Sequence, residues 1–460
     1  MAKTEVIRFI CSECGHSSPK WLGRCPSCGG WNTFSEEKMV TASKSKTATE
    51  TSSKTLSSIP VEKEFRFSSG ISELDRVLGG GIVHGSSVLV GGEPGIGKST
   101  LMLQVCHLCS ARGGVLYVSG EESASQVRQR AERLKLDLER INILCETHLE
   151  VICHVMRTEK PQLVVIDSLQ TLMGEDFASV PGSVPQMRGC CLEINTVAKQ
   201  NGISVFFIGH VTKEGTIAGP KIIEHMVDTV LYFEEAELDN RLIRTSKNRF
   251  GAADEIGIFE MTQSGLIPIK DPSSFFISKR ENPELSPGTA YATISEGSRT
   301  FVVEIQALVT EAKGSYTRVF SEKIDTQRVM RTAAILERHA GLRLCDRDIY
   351  INVAGGIKVN EVSVELAVAA AIWSAVTGRS LESNAVWLGE LSLSGEVRPV
   401  SLGERRLKST DDMGFTKAYL SSSMAVALSN KTSVNLFGCK KIADVFRQQG
   451  NRGTRIATEF

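Results

Sequence analysis

The sequence predicts an α/β protein whose central sheet is parallel and covered by helices on both faces, with a small cysteine-rich unit before it and an α+β block after it. Two closely spaced cysteine pairs near the amino terminus predict the small unit. Between about residues 67 and 269, short apolar runs rich in β-branched residues alternate with longer helical patterns, which is typical of a buried parallel sheet. The 460 residues correspond to two to four domains at roughly 150 residues each.

The composition excludes several classes of protein. Apolar residues make up 41% and charged residues 23% of the chain, which excludes a wholly disordered protein. The 53 basic and 53 acidic residues cancel, so binding to nucleic acid must come from local patches rather than from an overall basic field. No stretch approaches the roughly 18–20 apolar residues of a membrane span, and the amino terminus lacks the pattern of a secretory signal. We therefore expect a cytoplasmic protein with reduced thiols and no membrane partner.

Changes in composition along the chain predict its domain boundaries. Residues 35–58 are almost all Ser, Thr, Lys, Glu and Ala, and they bury too little apolar surface to offset the entropy of ordering them. Residues 271–287 hold three prolines and a phenylalanine pair, which favours a second boundary. The predicted division is a cysteine-rich unit at 1–34, a flexible linker at 35–58, the parallel-sheet domain at 59–270, a linker at 271–287 and an α+β domain at 288–460.

The amino-terminal cysteines have the spacing of a zinc site. Cys11 and Cys14 form one CxxC pair, Cys25 and Cys28 form a second, and ten residues separate the pairs. Each pair lies on a tight turn followed by glycine, so the two turns supply four thiolates for tetrahedral Zn²⁺. A unit of about 30 residues has little core, so zinc would provide most of its folding energy. A redox dithiol is the alternative, and the spacing does not decide whether the unit contacts DNA or protein.

The segment of residues 92–100 fits the phosphate-binding loop GxxxxGK[ST]. It follows an apolar strand and opens a helical segment, which is the setting that this motif requires. Backbone N–H groups of the loop would approach the phosphates of ATP, Lys98 would reach the β- and γ-phosphates, and Ser99 would hold Mg²⁺. Cys106 and Cys109, on the following helix, are interpreted as packing residues. The predicted nucleotide ligands are Gly92, Glu93, Pro94, Gly95, Ile96, Gly97, Lys98, Ser99 and Thr100.

Acidic residues at the ends of two later strands complete the predicted hydrolytic site. Asp167 ends the strand Leu163–Asp167, and we expect it to bind Mg²⁺ through water. Glu121 and Glu122 lie just past the strand Val115–Ser119, and one of them is the predicted general base that polarises the attacking water. The alternative for this pair is an acidic cap on the following helix.

A histidine at the end of a third strand is expected to face the same crevice. The strand Ile203–Gly209 is followed by His210. Polar residues at the carboxyl ends of parallel strands face the ligand, so we interpret His210 as a sensor of nucleotide state. A buried histidine with satisfied hydrogen bonds is the alternative.

A basic pentapeptide lies far in sequence from the phosphate loop. It consists of Lys247, Asn248, Arg249, Phe250 and Gly251. Lys247 and Arg249 lie two residues apart on a strand end, so we expect them on the same face. A solvated basic strand end is the alternative.

These motifs together carry a resemblance to a known family. The phosphate loop, the Asp167 strand and the acids Glu121 and Glu122 resemble the RecA-like group of P-loop proteins. KNRFG is a hallmark of the bacterial RadA (Sms) family, and the cysteine-rich start, the core and the C-terminal domain follow that family's order over essentially the whole chain. The resemblance implies an α/β fold with a RecA-like P-loop NTPase core, an N-terminal zinc finger and a C-terminal α+β Lon protease-like domain.

The same resemblance implies a function. It indicates a DNA-dependent ATPase of recombinational DNA repair, a motor on single-stranded and branched DNA that promotes branch migration of intermediates made with the recombinase RecA. In RecA-like rings ATP lies between subunits, so it also implies a homo-oligomer, expected as a hexameric ring, in which Lys247 and Arg249 touch the γ-phosphate of the adjacent protomer. The alternatives are an ATP-dependent Lon-like peptidase and a RecA-like regulatory ATPase that does not act on DNA.

Two segments are DNA-facing loops by this resemblance. Gly174–Gly189 follows the Asp167 strand, and Thr212–His225 follows the next strand. Their cations are sparse, but six copies in a ring would still line a channel for a single strand. Ordinary mobile loops are the alternative. The candidate DNA contacts are Arg188, Lys213 and Lys221.

The C-terminal domain resembles Lon-type peptidases with one decisive difference. Ser363 occupies the nucleophile position, whereas Arg406 stands where Lon has its catalytic lysine. Arginine keeps its proton near neutral pH and cannot act as the base, so we predict a non-proteolytic scaffold. The domain is also expected to offer a basic surface through Arg398, Arg405, Arg406 and Lys408.

Overall fold

A computed structural model describes residues 5–11, 16–40, 65–177, 180–210, 222–236, 239–269, 275–277, 284–312 and 318–450. The predicted zinc ligand Cys14 and the predicted DNA contacts Lys213 and Lys221 lie outside these residues. The chain divides into two compact units, the first extending to Pro268 and the second beginning at Ile269. We describe each unit separately.

The amino-terminal strands form a small antiparallel sheet in the order β2–β1–β3. Its strands are β1 (Glu5–Cys11), β2 (Ser17–Ser18) and β3 (Phe34–Val40). β3 pairs with β1 along its whole length, from Cys11 opposite Phe34 to Glu5 opposite Val40. Residues 35–40, which their composition assigns to a linker, are therefore strand, because the ladder to β1 satisfies their backbone groups without needing a buried core.

The rest of the first unit contains a nine-stranded sheet with helices on both faces and a separate sheet of two short strands, which are the first two named here. Its strands are β4 (Arg66–Phe67), β5 (Ile82–Val83), β6 (Ser87–Gly92), β7 (Val115–Ser119), β8 (Asn142–Cys145), β9 (Leu163–Asp167), β10 (Ser204–His210), β11 (Thr229–Glu235), β12 (Asn240–Asn248), β13 (Ile256–Thr262) and β14 (Gly265–Pro268). Its helices are α1 (Ser72–Val77), α2 (Lys98–Cys109), α3 (Ala124–Arg133), α4 (Leu149–Glu159), α5 (Val184–Asn201) and α6 (Ile222–Met226). Short 3-10 turns cover Leu138–Arg140 and Leu169–Thr171.

The large sheet is parallel in its centre, as predicted. Nine strands follow the order β14–β13–β12–β11–β6–β10–β9–β7–β8, and pairing is parallel from β11 to β8 and antiparallel from β11 to β14. Alternate residues of one strand enter two separate apolar clusters, for example Val88 and Val90 on one face and Leu89 on the other. Helices α1, α2 and α3 contribute to the first cluster and α4, α5 and α6 to the second. This double coverage explains the continuous apolar strands.

The second unit is an α+β domain around a mixed sheet of seven strands in the order β17–β18–β16–β15–β19–β22–β23. Its strands are β15 (Thr289–Glu296), β16 (Arg299–Glu311), β17 (Val319–Ser321), β18 (Arg347–Val353), β19 (Ala385–Trp387), β20 (Glu390–Leu391), β21 (Val397–Arg398), β22 (Lys417–Ser421) and β23 (Asn435–Cys439). Its helices are α7 (Thr326–Ala340), α8 (Glu365–Thr377), α9 (Gly403–Asp412), α10 (Ser422–Leu428) and α11 (Ile442–Gly450), with 3-10 turns at Ala354–Gly356 and Val362–Val364.

Two elements of this domain match local sequence patterns. The apolar stretch 300–309 lies within β16, and the alanine-rich stretch 364–376 forms α8, which is buried almost all round against β15 and β16. Phe276, inside the predicted linker 271–287, is fully buried with its ring 5.2 Å from that of Phe301. This part of the proline-rich stretch therefore packs against the C-terminal sheet.

Among the described residues, no helix combines the length and the apolar character that crossing a bilayer requires.

Candidate active site

The predicted nucleotide ligands and acids gather at one edge of the nine-stranded sheet. The strands β6 and β10 end side by side, with Gly92 opposite His210, and β7 and β9 end with Ser119 opposite Asp167. These are the carboxyl ends of parallel strands, which form the ligand crevice in sheets of this kind. The phosphate loop after β6, the acids after β7 and the carboxylate of β9 therefore open toward the same crevice.

The phosphate loop has the backbone that its glycines predict. Gly97, the residue before α2, has a φ of 116°, a conformation that residues with a side chain rarely adopt. Lys98 begins α2 and is buried, and its Nζ donates to the carbonyl oxygens of Gly92 at 2.7 Å and Glu93 at 2.8 Å. Burial lowers the pKa of Lys98 to about 8, against the opposing effect of the nearby carboxylates of Asp167, Glu121 and Glu93. Lys98 therefore lies close enough to the predicted acids Asp167 and Glu121 to feel their negative charge.

An arginine that the sequence motifs do not indicate supports the loop. Arg241 lies near the start of β12, and its Nε donates to the carbonyl oxygen of Ile96 at 3.1 Å. The side chain is buried, so this hydrogen bond lies away from competing water. Arg241 therefore ties the loop to the antiparallel half of the sheet, and only the chain fold reveals it, since 145 residues separate the two partners.

Asp167 is buried in the crevice and held by two hydroxyl groups. The Tyr117 hydroxyl donates to Asp167 Oδ2, and the Ser99 side chain hydrogen-bonds the same carboxylate. Burial raises the pKa of Asp167, and the hydrogen bonds from Tyr117 and Ser99 oppose that rise. The carboxylate and the Ser99 hydroxyl are adjacent hard oxygen donors, which is the chemistry that Mg²⁺ requires. Tyr117 was not predicted, although a tyrosine in an apolar strand needs a partner for its hydroxyl.

Glu121 and Glu122 have different surroundings. The Ser168 hydroxyl, next to Asp167, donates to Glu121 Oε1, and Glu121 is exposed at the crevice. Glu122 is half-buried, and its Oε1 pairs with Arg130 of α3 at 2.5 Å. Neither acid is the cap of α3, because Ser123 is its N-cap residue and forms a capping box with Gln126. The cap interpretation of the two acids is therefore wrong.

The remaining predictions at this edge are partly outside the described residues. His210 ends β10 opposite Gly92, but its side chain is outside the described part of the chain. The predicted loop Gly174–Gly189 is helical from Val184, where α5 begins, so Arg188 lies exposed on the first turns of a helix rather than in a loop. A proline in the first turn of α5 fits its start, since proline is tolerated there.

The KNRFG pentapeptide lies at the opposite end of the parallel strands, where β11 begins. Lys247 pairs with Val230 and Asn248 with Thr229, at the beginning of β11. Thr229 in turn lies opposite Val88, four residues before Gly92. At about 3.3 Å per residue, at least roughly 13 Å of strand separates the pentapeptide from the start of its own phosphate loop. The pentapeptide is therefore remote from the nucleotide site of its own chain.

The two cations of the pentapeptide both contact residues 224–228, but they bind different groups there. β12 ends at Asn248, so Arg249 lies beyond the strand, and the predicted strand alternation does not apply to it. Lys247 Nζ donates to the carbonyl oxygens of Glu224 and Val227, each at 2.8 Å, at the carboxyl end of α6. Arg249 is 55% exposed and lies 3.5 Å from Asp228. Burial first, and then Arg249, lowers the pKa of Lys247.

Hydrogen bonds between side chains and the backbone hold the pentapeptide in its turn. Asn248 Oδ1 accepts the backbone N–H of Phe250 at 3.0 Å, and the Phe250 carbonyl accepts from Arg66. A side chain at Gly251 would approach the backbone of Gly79 to 3.1 Å, which explains the glycine. The turn thus presents Arg249 outward from a fixed frame.

Three of the four predicted zinc ligands converge. Cys11 and Cys25 are buried and Cys28 is exposed, and their sulfur atoms lie within 4.8 Å of one another. Around Cys25, its N–H donates to the Gly30 carbonyl and its carbonyl accepts from Gly29, which forms a tight turn. Converging thiols are the donor set that Zn²⁺ takes in closed structural sites, so these residues fit the metal.

The serine of the C-terminal domain faces an arginine, as its sequence register predicts. The Ser363 hydroxyl donates to the Thr293 carbonyl at 3.1 Å and accepts from Arg406 at 3.2 Å. Arg406 also binds Glu361 at 2.5 Å and the Ser401 carbonyl at 2.8 Å. Arg406 is 1% exposed, so the prediction that it belongs to a basic surface is wrong. Its guanidinium instead forms hydrogen bonds with groups inside the domain.

Cys106 and Cys109 are both fully buried on α2, which confirms that they pack. Burial raises the pKa of the Cys109 thiol to about 12, so the group stays protonated and unreactive.

Three family models match separate parts of the chain. A model described as "AAA domain" matches residues 50–216, one described as "Rubredoxin metal binding domain" matches residues 9–36, and one described as "Subunit ChlI of Mg-chelatase" matches residues 320–423. These matches and the observed sheets confirm the predicted fold class, an α/β RecA-like P-loop core with a zinc unit before it and a Lon-like domain after it.

Curated relatives cover nearly the whole chain. A protein of Treponema pallidum named "DNA repair protein RadA" is 46% identical over 425 residues, which is 91% of this chain and 93% of the relative. A protein of Pseudomonas aeruginosa with the same name is 45% identical over the same shares of both chains. Among solved structures, a KaiC-like protein of Pyrococcus horikoshii is 22% identical and covers 45% of this chain and all of its own, with a TM-score of 0.38.

Proposed function

This chain belongs to the RadA family, and from that membership we propose that it is a DNA-dependent ATPase of recombinational DNA repair. It acts as a ring-shaped homo-oligomer on single-stranded and branched DNA, and it promotes branch migration of recombination intermediates made with RecA. The observation that carries the proposal is the convergence of Lys98, Asp167 and Glu121 at the carboxyl edge of the parallel sheet. We also expect it to work in the reducing cytoplasm, where thiols such as those of Cys106 and Cys109 persist.

The crevice supports hydrolysis through a division of tasks. The loop N–H groups and Lys98 bind the phosphates of ATP, and Ser99 and Asp167 offer the oxygen donors for Mg²⁺. Bound Mg²⁺ would supply neutralisation of the charge that develops on the phosphates. Glu121 is our general base, because it is exposed to the crevice and oriented by Ser168 beside Asp167. Tyr117 is a positioning residue that fixes the Asp167 carboxylate.

The position of KNRFG supports completion of the site by a neighbouring subunit. The pentapeptide cannot reach the phosphates bound by its own chain, since it lies at the amino ends of the parallel strands and the phosphate loop follows their carboxyl ends. Arg249 is exposed and held by a fixed turn, so we assign to it the contact with the neighbour's γ-phosphate. Lys247 ties the turn to α6 and positions Arg249.

The buried serine argues against the peptidase alternative. A nucleophilic serine must lose its proton to an adjacent base, whereas Ser363 donates to a backbone carbonyl and faces a guanidinium that keeps its own proton. The C-terminal domain is therefore proposed to be a non-proteolytic scaffold that assembles protomers.

The central experiment is ATP turnover with and without single-stranded DNA, in the wild type and in Lys98→Ala. We expect DNA to stimulate the wild type strongly and the variant to stay at background, because the variant lacks the cation that reaches the β- and γ-phosphates. Turnover that ignores every polynucleotide would instead favour a regulatory ATPase.

A further inference from the structure

The amino-terminal zinc unit exposes two tryptophans. Trp31 is 70% exposed and Trp21 is 52% exposed, whereas the other two tryptophans of the chain, Trp373 and Trp387, are 8% and 0% exposed. A large ring left in water forfeits apolar burial, and clustered exposed aromatic residues mark interaction sites. The zinc-binding chemistry of the cysteines does not account for these rings.

Both rings are held in fixed orientations. The Trp21 Nε1–H donates to the Phe34 carbonyl at 3.2 Å. Trp31 lies opposite Arg24 in a short antiparallel bridge, and the Arg24 guanidinium lies 5.8 Å from the Trp31 ring centre while its Nε donates to the Gly29 carbonyl at 3.3 Å. Fixed rings lose little entropy when a ligand stacks on them.

The two rings belong to one surface. The Trp21 ring lies 3.8 Å from where a side chain at Gly23 would begin, and the Gly23 carbonyl accepts the N–H of Asn32, the residue after Trp31. Residues 19–32 contain two cations and no acidic residue. We define the indole surface as Lys20, Trp21, Leu22, Arg24 and Trp31, all of which are exposed.

We propose that the indole surface binds single-stranded DNA by stacking bases on Trp21 and Trp31, with Lys20 and Arg24 near the phosphates. Aromatic rings beside isolated cations are the recurring elements of strand binding without sequence preference. The surface consists of five side chains, far fewer than the 20–30 residues a side of a stable protein interface, but one or two bases need no more than this. The inference rests on the proposed function, because it names a second strand contact of the same motor.

The test measures the binding of a labelled oligothymidylate to the full, zinc-loaded chain by fluorescence anisotropy. We expect Trp31→Ala to weaken binding at least about fivefold and Trp21→Ala together with Trp31→Ala to weaken it further, because each stacked base contributes substantially. Trp31→Phe keeps an aromatic face and should retain most of the affinity. The matched control is Val426→Ala, which removes an equally exposed apolar side chain from the C-terminal domain.

The zinc content of each variant shows that the unit remains folded. The inference is overturned if the zinc-loaded double alanine variant binds the oligothymidylate with an affinity within twofold of the wild type. A surface that serves a protein partner instead of DNA would give this same result. If the double variant loses zinc, its affinity is not informative, and the inference is tested instead by adding oligothymidylate to the wild type and following its intrinsic tryptophan fluorescence. Oligothymidylate should quench it, since the exposed rings report stacking, and unchanged emission at saturating DNA overturns the inference. DNA-stimulated turnover of the wild type would leave the proposed function standing in either case.

Discussion

Glu121 and Glu122 are neighbours in the chain, yet their carboxylates have different partners. Glu121 accepts from Ser168 at the crevice, whereas Glu122 turns toward α3 and forms an ion pair with Arg130. Glu122 is therefore engaged on the side of α3, whereas Glu121 stays exposed at the crevice, where the attacking water would lie. The geometry therefore separates two residues that the sequence alone leaves equivalent.

Glu121→Gln and Glu122→Gln should consequently differ in DNA-stimulated ATP turnover. We expect Glu121→Gln to lower kcat at least about 100-fold, as loss of a general base does, and Glu122→Gln to lower it less than about tenfold. KM for ATP should change little in both variants, because neither carboxylate binds the phosphates. Comparable losses in the two variants would contradict the assignment of the base.

At the scale of elements, continuous apolar strands were predictable and edge strands were not. Predicted and observed bounds agree within one residue for β7, β9 and β10, because strands buried on both faces keep a local signature. β8 has largely exposed side chains and therefore lacks that signature. β3 likewise becomes a strand only through its pairing with β1.

The same limit applies to contacts between elements at the candidate site. The phosphate loop and Asp167 follow from short motifs, since their chemistry needs fixed residue types at fixed spacing. The bonds from Tyr117 to Asp167 and from Arg241 to Ile96 join residues 50 and 145 positions apart, and no local pattern encodes such pairs. Supporting residues therefore emerge only once the sheet is assembled.

Arg406 shows how such a contact joins elements of the C-terminal domain. From α9 it reaches the Thr293 carbonyl of β15 and the carboxylate of Glu361, so Arg406→Met should leave a half-buried acid and two carbonyl groups without their cation. We expect the free energy of unfolding of this domain to fall by about 3 kcal/mol. Denaturant titration measures it when the wild type and the variants all carry Trp21→Phe and Trp31→Phe, so that only the buried Trp373 and Trp387 contribute tryptophan fluorescence. The exposed neighbour provides the control: Arg405→Ala should stay within about 0.5 kcal/mol of the wild type, and equal effects of the two variants would refute this role.

At the scale of the whole molecule, the zero net charge sets a condition on DNA binding. A chain with 53 basic and 53 acidic residues gains no long-range attraction to a polyanion, so its affinity must come from repeated local contacts. In the ring that we propose, each contact would be repeated once per protomer, and Arg249 of one chain would lie at the crevice of the next. Strand binding and hydrolysis would then depend on the same assembly.

Mixing two inactive variants tests this dependence. Lys98→Ala lacks the phosphate-binding lysine but keeps Arg249, whereas Arg249→Ala keeps Lys98. An interface at which the first variant supplies Arg249 and the second supplies Lys98 therefore contains one complete site. In a random 1:1 mixture about a quarter of the sites would be complete, since each site needs one subunit of each kind in a fixed order. We therefore expect DNA-stimulated ATP turnover to reappear on mixing and to peak near equal amounts. Replacing the second partner with the double variant Lys98→Ala/Arg249→Ala removes every complete site and should abolish the recovery. Mixed oligomers that form but never regain turnover would show that Arg249 does not act across the subunit boundary.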